Sequence, residues 1–299
     1  DLETRIDSGL YLQAHPHIEA LIADGGLRGA LLAIRSLSHL GADRQGDALA
    51  LRTYRRFPQA LAAFKVFVRQ RLAKYGPYEA WRLCRRDVAH QVGDDVERAE
   101  FLSLQAYIYS LLRDFDQSSA CRAQALALAP DVPWLWVEWS MCCEQADRYA
   151  EAMQSVETAL RLRPGYRSAL QQKAGLLVLD GRRDEAEAFL IGALASSECW
   201  AVGAQLYALQ YDCQHYAAAS ATLVRIEALM PRAEKGRLSW LAARRCDLAM
   251  AEHRLADARE QAAKVFGPGF YRNVCERIDA GIAHRRALLP VNFVRQHWM

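Results

Sequence analysis

Apolar side chains recur along most of this chain at three- and four-residue spacing, the pattern of helices with one buried face. The clearest example is residues 133–164, PWLWVEWSMCCEQADRYAEAMQSVETALRLRP. Trp136, Trp139 and Cys143 fall on one face of a first helix, and Tyr149, Ala152, Val156 and Ala159 on one face of a second. Pro164 ends the pair, because proline lacks the amide that a continuing helix needs. The stretch therefore predicts two helices joined by a short turn.

The unit repeats. Steps of about 34 residues align small residues at Ser118, Ala152, Ala186, Ala219 and Ala258, and a second column at Ala125, Ala159, Ala193, Ile226 and Val265. A bulky side chain precedes the second helix as Phe115, Tyr149, Tyr216 and Leu255, with Arg183 the exception, and prolines close units at Pro130, Pro164 and Pro231. Small residues let the two helices of a unit approach closely, and the bulky column is expected to fill the gap to the next unit. One such unit cannot bury its apolar face without neighbours.

These columns resemble the tetratricopeptide repeat family over residues 97–270. The resemblance implies an all-α fold, a right-handed superhelical solenoid of antiparallel helix pairs, with about five units in residues 96–270 and an irregular helical region or degenerate repeats capping it in residues 1–95. It further implies a concave surface, lined by the first helix of each unit, that takes a protein or peptide segment. The register places Glu100, Ser103, Tyr107, Trp134, Val137, Met141, Gln171, Tyr211, Trp240 and Asp247 there, an aromatic and mildly acidic lining. Members that clamp a C-terminal carboxylate carry lysine and asparagine at these places, and this sequence has neither. Trp134 and Trp240 are the expected interface anchors, with packing against an adjacent helix as the alternative. Trp136 and Trp139 are expected to pack between helices.

Outside the repeats the pattern loosens. Residues 24–26 punctuate a turn, residues 27–40 read as a helix broken by Gly41, and Ala60, Leu61, Phe64 and Phe67 read as a repeat's second helix with residues 43–56 as its partner. Residues 77–90 form another helix, opened by proline. After a helix over residues 270–288, the segment 289–299, LPVNFVRQHWM, favours extended backbone. Its Phe293-Val294-Arg295-Gln296-His297 is similar to the lead-in of papain-like cysteine peptidases that process double-glycine leaders. By that resemblance Gln296 would donate to an oxyanion. No nucleophile, histidine or aspartate follows before Met299, so residues 271–299 read as leading toward a further domain.

Composition narrows the function. No apolar run of the 299-residue chain approaches the roughly 18 residues of a membrane span. Lys plus Arg (38) exceed Asp plus Glu (35) by three, too little for a nucleic-acid footprint. The doublets Arg55-Arg56, Arg85-Arg86, Arg244-Arg245 and Arg285-Arg286 read as solvated helix faces. Eight cysteines without a CxxC pair, mostly within apolar stripes, point to a reducing, cytoplasmic setting. His15-Pro16-His17 lacks further ligands at a metal spacing, Gly267-Pro268-Gly269 lacks the lysine of a phosphate loop, and Cys142-Cys143 has no activating base nearby. His215 and His253 fall in turns. No cofactor or metal is expected. The chain begins at Asp1, so a segment preceding it is allowed for. The expectation is a non-catalytic, peptide-binding scaffold, the recognition region of a larger bacterial protein. Two alternatives stand beside it: the N-terminal part of a double-glycine cysteine peptidase, and an adaptor that self-associates through its terminal helix.

Overall fold

The structure is a computed structural model that describes residues 15–39, 43–87, 92–197, 199–229 and 235–264. Among these residues the chain is a succession of fifteen α-helices after one turn of 3-10 helix at His15–His17, with no strand beyond a single backbone bridge between Ala60 and Val92. None of the described helices is long and apolar enough to cross a membrane. The expected helix over residues 270–288, the tail with Gln296, the 267–269 turn, and Pro231, Val265 and Cys275 lie outside the described residues.

The chain divides into two compact units, the first reaching Phe189 and the second starting at Leu190. The first opens with α1 (Ile18–Asp24), α2 (Leu27–His39) and α3 (Asp43–Arg56). Ile18, Ala33, Ile34, Leu37, Leu49 and Ala50 close a small core among them. Helices α4 (Leu61–Tyr75) and α5 (Pro77–Asp87) follow, hinged on Gly76, and α6 (Asp95–Leu111) covers both. Phe64, Phe67, Val68, Leu83, Phe101, Leu104 and Ile108 form the core of this trio. The Tyr54 ring of α3 stacks on Phe67 with centroids 4.9 Å apart. The core is therefore continuous across residue 95.

Helix pairs follow: α6 with α7 (Phe115–Leu128), α8 (Pro133–Gln145) with α9 (Tyr149–Leu162), then α10 (Arg167–Leu179) leading into α11 (Arg183–Ser197). Local chemistry sets their starts. Asp94 accepts the Glu97 amide at 2.8 Å while the Glu97 side chain accepts the Asp94 amide at 3.2 Å, a reciprocal cap on α6. Asp114 caps α7, and Pro133 occupies the first turn of α8, where its missing amide costs nothing. The small column is buried throughout, at Ser118, Ala152 and Ala186. The spacing it permits is visible at Ser118, whose Oγ donates to the Ala106 carbonyl of the facing helix at 2.8 Å.

The second unit repeats the scheme with α12 (Trp200–Asp212), α13 (Tyr216–Leu229), α14 (Lys235–Ala251) and α15 (Leu255–Ala263). Ala219 and Ala258 are buried, and the Cys246 thiol donates to the Ala258 carbonyl at 3.3 Å. Here two columns exchange volume. Ile226 stands where the other described repeats carry alanine, and Gly203 of α12 receives it. A Cβ on Gly203 would stand 2.8 Å from Ile226 Cγ1.

The turns within pairs share one geometry. Arg113, Asp147, Gly181, Gln214 and His253 each take a left-handed backbone, with φ of 63°, 57°, 78°, 63° and 57°. The amide of the next residue reaches back to the helix at Tyr109, Cys143, Leu177, Gln210 and Ala249. This is a Schellman-type stop, normally made with glycine.

Two local expectations are corrected. Helix α4 does not behave as a second helix. Its Lys65 and Arg69 pair with Glu100 on α6 and Glu138 on α8, which places it beside the first helices. Its first turn is buried all round, at Leu61, Ala62, Ala63 and Phe64, and such a pattern does not encode which helix of a pair it belongs to. The bulky column also serves its own turn rather than the gap to the next unit. Tyr149 is exposed and donates to Asp147 at 3.1 Å, Arg113 lies over the Phe115 ring, and Tyr216 packs against Tyr211 at 5.7 Å.

Candidate functional site

In the first unit, the first helices and α4 place a polar and aromatic cluster together. Glu138 sits on α8 between Val137 and Trp139, and its side chain is 1% exposed. A buried carboxylate needs a partner, and Arg69 of α4 supplies it, donating from Nη2 to Oε1 at 2.7 Å. The second carboxylate oxygen is buried without a hydrogen-bond partner. Arg69 is only partly covered, and its guanidinium carbon stands 5.3 Å from the centre of the Trp134 ring. Trp134 is half-buried, with a guanidinium over its ring that Glu138 in turn holds. The sequence pattern marks the spot: a single acid interrupts the otherwise apolar run of α8 and demands a cation from elsewhere.

Tyr107 of α6 belongs to the same cluster. Burial, then the nearby Glu138 charge, raises its phenol above the ordinary tyrosine value, so it stays a protonated donor. Beside it along the first helices, Glu100 pairs with Lys65, Gln172 donates to Glu144 at 2.7 Å, and Gln171 accepts from Arg167 at 2.6 Å. Met141 and Gln171 are half-buried, whereas Ser103 and Val137 are shut from solvent and support the wall from beneath. Lys65 and Arg69 of α4 bring two cations against Glu100 and Glu138, which offsets the acidity expected from the sequence.

In the second unit, Tyr211, Trp240 and Asp247 form a packed knot. The Trp240 ring meets Trp200 at 6.3 Å and Tyr207 at 6.4 Å, both edge-on, with Arg244 over it at 5.6 Å. Asp247 is buried and lies 3.1 Å from Arg244 Nε. The Tyr207 hydroxyl donates to the Arg244 carbonyl at 2.9 Å and the Tyr211 hydroxyl to the Asp247 carbonyl at 3.4 Å. Burial raises both phenols first, and Asp247 adds to it. Trp240 is half-buried, with rings on two sides.

The other tryptophans divide likewise. Trp139 is buried with Arg122 over its ring at 4.6 Å, and Trp136 donates its indole N–H to the Pro130 carbonyl at 2.8 Å. Cys142 and Cys143 are buried, and burial pushes their thiols up to about 12 and about 11. Nucleophilic cysteines are shifted the other way. Among the described residues, no three His, Cys, Asp or Glu side chains stand close enough to hold a metal ion. His17 is exposed at the surface, and His253 is one of the left-handed turn residues.

No family profile matches the sequence, and no curated protein matches it. Among solved structures, the chain is similar to a tetratricopeptide repeat protein from Parabacteroides merdae, at 14% identity over 84% of this chain and 96% of that one, TM-score 0.48. It is also similar to the anaphase-promoting complex hetero-tetramer Cut9–Hcn1, at 13% identity over 77% of this chain and 46% of that one, TM-score 0.49. A third is PilW, a type IV pilus biogenesis factor, at 18% identity over 68% of this chain and 91% of that one, TM-score 0.48. The repeat type rests on the helix-pair register and its five like turns.

Proposed function

We propose that this chain is a non-catalytic recognition scaffold, and that the face built by α4, α6, α8 and α10 receives an extended or helical peptide segment of a protein partner. The observation that carries this reading is the Arg69, Tyr107, Trp134 and Glu138 cluster. A buried carboxylate fixes a guanidinium, the guanidinium fixes a half-exposed indole, and a protonated phenol stands in the same cluster. Rings held in one orientation lose little freedom on binding, which is what makes an aromatic anchor effective. Arg69, only partly covered, keeps a polar edge beside it for backbone groups of the ligand.

The test selects peptides from a random library on the full chain and titrates them into variants. Trp134→Ala should weaken binding by about 2 kcal/mol, roughly thirtyfold, as expected for an aromatic anchor. Tyr107→Phe should weaken it less, by about the 1 kcal/mol of one lost hydrogen bond. Selected peptides that bind both variants with unchanged affinity would refute the site.

A further inference from the structure

Helix α5, PYEAWRLCRRD, carries a second surface that shares no residue with the Trp134 cluster. Two adjoining hollows lie along it, both lined by Trp81 and Arg85. The smaller, about 140 Å³, is further lined by Cys84, Gln105, Ile108 and Tyr109, and the larger, about 320 Å³, by Glu79, Arg82, Leu83 and Arg86. The floor is apolar: Leu83, Cys84 and Ile108 are buried, and burial pushes the Cys84 thiol up to about 12, so it stays neutral. A cavity of about 150 Å³ is known to hold a benzene ring, so the smaller hollow suits one apolar side chain.

The rim is basic. Three arginines line it against one acid, Glu79, which is engaged by Arg82 at 3.2 Å. Among the described residues Arg85 has no carboxylate partner, and it lies over the Trp81 ring at 5.0 Å. Tyr78, 63% exposed, stacks on Trp81 at 5.7 Å. Exposed aromatic rings interleaved with guanidinium groups, beside an apolar hollow, have the composition of an interface hot spot.

We propose that this surface binds an acidic peptide segment, one apolar side chain entering the 140 Å³ hollow while neighbouring carboxylates meet Arg85 and Arg82. Charge complementarity sets the sign of the partner, and the apolar hollow sets its class. A phosphate backbone offers nothing to fill that hollow. The basic rim is confined to one 11-residue helix, about 16 Å long, too short to follow a nucleic-acid strand.

The experiment sorts a random dodecapeptide library on the full chain and measures each enriched peptide by fluorescence anisotropy, with circular dichroism confirming that variants keep their helix content. A twelve-nucleotide single strand is titrated in parallel. The expected result is a set of peptides with an apolar residue flanked by Asp or Glu. Their affinity should fall at least tenfold with Arg85→Glu and with Trp81→Ala, fall less with Arg85→Lys, and hold with Trp134→Ala. Peptides lost with Trp134→Ala but retained by Arg85→Glu would overturn this proposal and leave the groove reading standing. Enriched peptides without acidic residues would overturn it too, as would Arg85-dependent binding of the single strand alone. Arg85 is exposed, so Arg85→Glu keeps the test decisive even where Trp81→Ala disturbs folding.

Discussion

At the scale of single residues, the five intra-pair turns form a natural comparison series. Gly181 has φ of 78°, and a Cβ added there would meet nothing within 4 Å, so Gly181→Ala changes the backbone preference alone. A left-handed conformation costs a non-glycine residue about 1–2 kcal/mol. Gly181→Ala should therefore lower stability by about 1 kcal/mol, and Gln214→Gly, at φ of 63°, should raise it by up to about 1 kcal/mol. Urea midpoints that shift in these opposite directions at constant slope would confirm it. The buried thiols give a second prediction. Burial raises Cys84 and Cys142 to about 12 from the ordinary thiol value of 9.0. The fold thus holds these protons more tightly than the unfolded chain, so this contribution is complete below pH 9 and is lost as pH rises toward 12. Denaturation followed across that window should show falling stability, with a shallower fall in Cys142→Ala than in the parent chain. An equal slope in both would remove the thiol from the explanation.

At the scale of elements, the repeat period was legible because its columns carry size: alanine or serine wherever two helices touch. What the columns hid is that size can move between partners. In α12 and α13 the small residue is Gly203 and the large one Ile226, the reverse of Trp136 and Ala159 in α8 and α9. Ile226→Ala should leave a cavity and cost about 2–4 kcal/mol. Gly203→Ala should force a shift against Ile226 and cost about 1–3 kcal/mol. Because the first change opens the space that the second fills, the double variant should be more stable than the sum predicts by at least about 1 kcal/mol. Simple additivity in chemical denaturation would mean that the two side chains do not share one space. The partners of the candidate site were hidden for a different reason. Glu138 advertises its need for a cation as a lone charge in an apolar helix, but nothing in local periodicity says that the cation stands 69 residues earlier. Only the packing of α4 on α6, which itself packs on α8, brings Arg69 there.

At the scale of the whole molecule, the helices before residue 95 share the core on which the first repeat stands. Phe101, Leu104 and Ile108 of α6 are buried against Phe64, Phe67, Val68 and Leu83 of α4 and α5. Arg69 holds one oxygen of a carboxylate that is otherwise sealed in α8. Removing residues 1–94 would expose three large apolar side chains of α6 and leave Glu138 buried and unpaired. Each exposed side chain forfeits about 1.5–3 kcal/mol, and an orphaned buried charge about 3–5 kcal/mol. Together these match the whole stability of an ordinary domain, about 5–15 kcal/mol. The truncated chain should therefore lose the cooperative melting of its first unit, seen by circular dichroism, and elute from a sizing column as expanded or associated material. Substituting Glu138→Leu in the truncated chain should restore part of the lost transition, because it removes the orphaned charge while filling the same space. A truncated chain that melts as cooperatively as the parent would show that the repeats from α6 onward carry their own cap, and that the Arg69 to Glu138 bond is dispensable for the fold.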